Sequence, residues 1–250
     1  MTIKYPKAIK VAEKVEEIIK DEFLMRSLAD YTAQPNLEWL LNKVGSYFEY
    51  PIRNKFILGH SMIDNLGEST MINKNIEDPA RKAFTQAHEL GHHFLHPKLL
   101  RNNRKVNILD QNYKPEKNSV ESEANCFAAN LLMPDDVLYS VLYEKKSRKS
   151  IKELQCISYE ALYYRIIDYL VDRVFIPKNM AIKLSKDYIT SLPGLLNQCT
   201  LVRVWKKLRI LNLNPNSCKQ KEIETYNLNQ INNYENIEDI QEKKEEIYDK

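Results

Sequence analysis

The sequence predicts an α+β fold, mostly helical, with one small β-sheet, and three observations carry that prediction. Apolar residues recur at helical spacing over most of the chain. One stretch, residues 54–73, changes to short strand-like runs around a turn. His88-Glu89-Leu90-Gly91-His92 then sets two histidines one helical turn apart in a segment that carries helix start and stop signals. At 250 residues the chain is long enough for one large domain or two small ones with a proper core. A composition 43% hydrophobic and 28% charged is that of a globular chain, not a disordered one.

Residues 7–30 hold Ile9, Ala12, Val15, Ile18, Ile19 and Phe23 at helical spacing, which predicts a first helix. A second is expected from Leu37 to Phe48, after Pro35-Asn36. Phe56-Ile57-Leu58 and Ser69-Thr70-Met71-Ile72 read as strands joined through the turn-prone Asp64-Asn65-Leu66-Gly67. Asp78 is a suitable N-cap for the histidine-bearing helix, and Pro79 suits its first position, where a missing N–H is no loss. Phe84, Ala87, Gly91, Phe94 and Leu95 give that helix an apolar side, and Pro97 stops it.

A polar loop spans Arg101 to Lys117. The next helix runs from Ser119 to Met133, with Asn118 and Glu121 resembling a capping box and Pro134 marking the end. A helix through Val137–Tyr143 leads into the basic run Glu144–Lys149, a candidate domain boundary. Helical segments follow at Ile151–Gln155 and Ser158–Val171; residues 173–213 show no clear period. Beyond Asn214 the chain is rich in Asn, Glu and Lys, as in a frayed helix or a flexible tail. No internal repeat is present. The expected organisation is N-terminal helices (1–50), a core around the histidine-bearing helix (51–144), a helical region (145–215) with a helix-turn-helix-like segment at 151–170, and an acidic tail (216–250).

The net charge is +3, but residues 219–250 carry five basic and nine acidic groups, leaving +7 on the rest. A mildly basic body with an acidic tail suits an acidic partner or ordinary solubility. Cys126, Cys156, Cys199 and Cys218 are scattered without a C-x-x-C pair and read as reduced thiols. The first ten residues lack an apolar h-region, and no run approaches ~18 apolar residues. The expectation is a soluble cytoplasmic protein with no membrane partner, which disfavours a secreted digestive protease.

On one helical face, His88 and His92 can bind a single zinc ion while Glu89 acts as general base toward water. A His-x-x-x-His pair alone is most often surface or capping chemistry. The glutamate, the glycine and a second Glu-containing helix in order shift the reading to a metallopeptidase site. Zinc in a peptidase normally takes three protein ligands. His96 lies ~12 Å along the axis from His88, and His93 points ~100° away from His92. Lys98 stands where the pattern H-E-x-x-H-x-x-G-x-x-H requires a histidine. The third ligand is therefore expected from the next helix, where Glu121 and Glu123 sit ~200° apart, so that only one faces the metal. Glu123 is favoured: it shares a side with Phe127, small Ala124 lies beside it, and Glu121 can serve as the capping glutamate. Cys126 reads as a core thiol rather than a ligand, and His93 and His96 as structural or supporting residues.

Two blocks carry a resemblance. The first is Arg81-Lys82-Ala83-Phe84-Thr85-Gln86-Ala87-His88-Glu89-Leu90-Gly91-His92-His93-Phe94-Leu95-His96, preceded by Met71-Ile72-Asn73. The second, Glu121-Ser122-Glu123-Ala124-Asn125-Cys126-Phe127-Ala128-Ala129-Asn130-Leu131-Leu132-Met133-Pro134, is close to E-x-E-A-N-x-F-A-x-x-L-L-M-P. In this order they resemble the ImmA/IrrE-type metallo-endopeptidases, strongly over residues 54–143. A weaker match covers Glu153–Leu170 through Ser158, Ala161, Leu162 and Arg165. The resemblance implies a zincin-like core of the gluzincin type, with a small sheet over the active-site helix and two histidines and a glutamate as ligands of one Zn2+. It also implies a cytoplasmic endopeptidase that cuts a helix-turn-helix transcriptional repressor of a mobile element or a stress response.

Glu68–Asn73 is expected to act as an edge strand, with Ser69, Thr70 and Met71 pairing with an extended substrate. The alternative is a zinc-bound regulator that binds a partner or DNA without cutting. Lys145, Lys146, Arg148, Lys149 and Lys152 would supply phosphate contacts for DNA. The presumed recognition helix, Tyr159–Leu170, offers only Arg165 to read bases, and intact Glu89 favours catalysis.

Overall fold

The computed structural model describes residues 5–23, 31–33, 36–54, 56–101, 107–109, 119–208 and 224–233. Residues 24–30 of the first expected helix, the Asn118 cap, most of the 101–117 loop, Cys218 and most of the acidic tail lie outside them. The fold is α+β and mostly helical, as the periodicity predicts. The chain divides into two compact units, Met1–Tyr139 with Lys149–Leu162, and Ser140–Arg148 with Tyr163–Lys250.

In the first unit α1 (Tyr5–Phe23) buries Ile9, Val11, Ala12, Val15, Ile18 and Ile19, the stripe its sequence period marks out. Helix α2 (Asn36–Val44) ends four residues earlier than its sequence suggests. The chain then enters β1 (Ser46–Tyr50), a strand where continued helix was expected. Gly45 makes the switch possible: a Cβ there would sit 2.1 Å from the Glu68 carbonyl oxygen. No side chain fits between the two backbones.

Strands β2 (Ile57–Asp64) and β3 (Gly67–Asn73) form the expected hairpin, longer than the two apolar runs alone indicated. The Asp64 carboxylate accepts the Leu66 N–H at 2.7 Å, and Gly67 takes a positive φ of 123°. With β4 (Asn107–Leu109) the sheet has four strands in the order β1-β3-β2-β4. Strand β3 runs parallel to β1 and antiparallel to β2, so it is interior. This corrects the edge-strand expectation for Ser69, Thr70 and Met71. Their residues pair with Ser46–Phe48 on one side and His60–Met62 on the other.

Helix α3 (Pro79–Leu95) begins as predicted, with the Asp78 side chain accepting the Ala80 N–H at 3.1 Å and Pro79 in the first turn. It stops before Pro97, which opens the short α4 (Pro97–Arg101). Every residue of α3 from Thr85 to His93 is buried. The helix lies between the sheet, through β2, and α5 (Ser119–Leu132), and α1 packs on the far side of α5. Gly91 sets the α3–α5 approach: a Cβ there would lie 3.1 Å from both Ala124 Cα and Phe127 Cβ. Phe94 and Phe127 stack alongside at 5.8 Å between ring centroids.

Helices α6 (Asp135–Tyr143), α7 (Arg148–Gln155) and α8 (Tyr159–Asp172) follow. A three-residue turn joins α7 to α8. Cys156 adopts φ 50° there, and the Ser158 hydroxyl accepts the Ala161 N–H at 3.0 Å. The second unit contains α9 (Lys178–Thr190), a 3-10 segment at Pro193–Gln198, α10 (Thr200–Val204) and a 3-10 turn at Trp205–Lys207. Within the region without a clear period, the described residues 178–207 are thus largely helical. Its core holds Tyr188 and Trp205, and Tyr169 lies against the Trp205 ring at 5.8 Å.

Candidate metal centre

A helix buried on all sides must satisfy its polar side chains internally. The partners of α3 define the site. On the face toward α5, His88 Nε2 lies 2.9 Å from His92 Nε2 and 3.1 Å from Glu121 Oε2, and His92 Nε2 lies 3.6 Å from that same oxygen. Two donor atoms at ordinary zinc bond lengths and a tetrahedral angle are about 3.3 Å apart, so this spacing fits one small cation. The group forms because residues four apart on α3 share a face and Gly91 lets α5 approach closely.

The glutamate that joins the histidines is Glu121, not the expected Glu123. The carboxylate of Glu123 points to the other side of the histidine row, 3.4 Å from His96 Nε2 and paired with Lys7 of α1. Two residues on a helix differ by ~200° in direction, and the rotation of α5 turns Glu121 inward. His96, too far along the helix to share the centre, takes a supporting place: its Nδ1 lies 3.1 Å from His92 Nδ1.

The remaining contacts define ring orientation. His88 Nδ1–H donates to Asn125 Oδ1 at 2.8 Å, which leaves the lone pair of Nε2 facing Glu121. His92 Nδ1–H donates to His96 Nδ1, and His96 Nε2–H to Glu123. Two lone pairs and a carboxylate oxygen then converge at the centre. Burial pushes His92 down to about 4, keeping the ring neutral. Burial raises Glu121; where Nε2 of His88 or His92 carries the proton instead, its hydrogen bond and charge outweigh burial and hold the carboxyl at about 2. Neutral imidazole and ionised carboxylate are the forms that bind a divalent cation. Among the described residues this is the single His/Cys/Asp/Glu group so arranged.

Glu89 projects from α3 toward β2. Its Oε2 accepts the Ser61 hydroxyl proton at 2.6 Å, while Oε1 is buried without a hydrogen-bond partner among the described residues. Burial raises the carboxyl to about 7, against the pull of His88 and Ser61. The sequence reading did not single out Asn125 or Ser61. Asn125 was detectable, since it lies one turn after Glu121 on the same face; nothing local marks Ser61.

The main chain at Thr70 and Met71, and the Thr70 side chain, already have partners within the fold. The Thr70 hydroxyl lies 2.8 Å from His93 Nε2 and is buried, and the main chain of β3 is already paired on both sides.

This arrangement of a small sheet, a buried H-E-x-x-H helix and a glutamate from the following helix is a zincin-like core. The family profile of peptidase M78, the IrrE N-terminal-like domain, matches residues 48–166, so this part of the chain is similar to that family. The "Uncharacterized immunity region protein 2" of Bacillus phage phi105 is 33% identical over 112 residues, 44% of this chain. The chain spans 59% of the length of that relative. No described helix is long and apolar enough to cross a membrane.

Proposed function

We propose that the chain is a zinc-dependent endopeptidase of the cytoplasm that cleaves a helix-turn-helix transcriptional repressor of a mobile element or a stress response. The observation that carries this reading is the convergence of His88 Nε2, His92 Nε2 and Glu121 Oε2 beside the enclosed carboxylate of Glu89. His88, His92 and Glu121 would hold the ion. When bound, Zn2+ supplies Lewis acidity that activates water and polarises the scissile carbonyl. Glu89 accepts a proton from the attacking water and passes it to the leaving amine. Asn125 and His96 keep the two imidazoles in the required tautomer, and Glu123 acts behind His96.

The printed name of the phage relative, an immunity region protein, supports a regulator of a mobile element as substrate. The DNA-binding alternative loses its one base-reading cation, because Arg165 is buried with its guanidinium over the Tyr169 ring.

Co-expression with a candidate helix-turn-helix repressor, taken from the genes that neighbour its own, tests the proposal. Wild type should yield a truncated repressor, and Glu89→Gln should leave it intact. Intact repressor with both proteins would favour a regulator that binds without cutting.

A further inference from the structure

Gly59 and Ser61 lie two apart on β2, so they face the same side of the sheet, toward Glu89. Both contacts with Glu89 are close. The Ser61 hydroxyl binds Oε2 at 2.6 Å, and a Cβ on Gly59 would lie 2.6 Å from Oε1 and 3.0 Å from Cγ of Glu89. Ser61 is itself buried, so its hydroxyl has no water to turn to.

Behind Ser61, on β3, the Thr70 hydroxyl lies 3.4 Å from Ser61 Oγ and 2.8 Å from His93 Nε2. His93 Nδ1 in turn lies 3.0 Å from the Glu68 carboxylate. This row fixes the direction of the Ser61 proton. If Thr70 donates to His93, Ser61 is left to choose between a neutral oxygen at 3.4 Å and a carboxylate at 2.6 Å, and the short charge-assisted bond wins. If Thr70 donates to Ser61, the Ser61 proton still goes to Glu89. In either arrangement one carboxylate oxygen is tied to the sheet and the other is left without a partner.

We propose that Ser61 is a positioning residue for the general base. It holds Oε2 of Glu89 so that Oε1 stays free to take the proton of the attacking water, and Gly59 is the complementary space that lets Oε1 occupy its position. The assignment rests on the peptidase reading for its kinetic consequence, but the tie between Ser61 and Glu89 does not.

The test uses the full-length zinc-loaded protein with denatured casein as substrate, alongside 13C NMR of protein labelled at the glutamate carboxyl carbon. The Glu89 resonance is identified by its loss in Glu89→Gln. Ser61→Ala should lower kcat roughly 10- to 100-fold, the usual range for loss of a supporting hydrogen bond at a metal site, with KM, bound zinc and thermal midpoint little changed. It should also move the Glu89 resonance, and Ser61→Thr should restore both. In a Glu89→Gln background Ser61→Ala should cost nothing further.

Gly59→Ala, with Ser61 intact, should shift the same resonance and lower kcat, and it decides the matter if Ser61→Ala does not fold. Turnover within twofold of wild type and an unmoved Glu89 resonance would overturn the proposal. If wild type cuts no casein, the cleavage reading loses support while the resonance still decides the role of Ser61.

Discussion

Asn125 controls which nitrogen of His88 faces the centre, since its carbonyl oxygen takes the Nδ1 proton at 2.8 Å. Asn125→Ala frees that choice, and zinc affinity should fall roughly 10- to 100-fold in a chelator competition. His96→Ala should act similarly on His92, by removing the acceptor of its Nδ1 proton. At this scale the two histidines and Glu89 were legible, because three residues on one helix obey a fixed geometry. The choice between Glu121 and Glu123 was not, because it depends on how α5 is rotated against α3. The capping argument pulled the wrong way: it gave Glu121 a task in its own helix, whereas the carboxylate faces His88 and His92. Glu123 does belong to the site, one contact further out.

Among the elements, the α3–α5 pair carries the centre, and Gly91 decides its spacing. Gly91→Val would set a branched side chain against Ala124 and Phe127. It should destabilise the protein by about 1–3 kcal/mol in urea denaturation, as overpacked positions do, and weaken zinc binding in parallel. Helix α3 was legible to its first residue because Asp78 and Pro79 are chemical start signals. The hairpin was legible through its turn residues. Strand β1 was not: its five mostly exposed residues form one edge of the sheet and continue the preceding helical run without a proline. Gly45 was the signal, and its meaning lies in the Glu68 carbonyl opposite. The interior position of β3 follows from the pairing of β1, a long-range contact that no local pattern encodes.

For the molecule as a whole, the helical class was legible from periodicity, while the regular structure of residues 173–208 was hidden by short helices and 3-10 turns. In this second unit burial raises the Asp168 carboxyl to about 6, against the pull of Arg165 and Lys178. The folded value exceeds that of the unfolded chain, so its stabilising contribution is present below about pH 4 and is lost as pH rises through about 6. Asp168→Asn should therefore raise the thermal midpoint at pH 8, and the gain should shrink as pH falls toward 4.

Both helices of the centre belong to the first unit, and the account holds that one ion joins them through His88, His92 and Glu121. The most direct measurement is zinc bound per chain, by elemental analysis after dialysis against a weak chelator. The prediction is one zinc in wild type and in Glu89→Gln, none in Glu121→Ala, and zinc retained with lower affinity in Glu123→Ala. Full zinc in Glu121→Ala with loss in Glu123→Ala would contradict it.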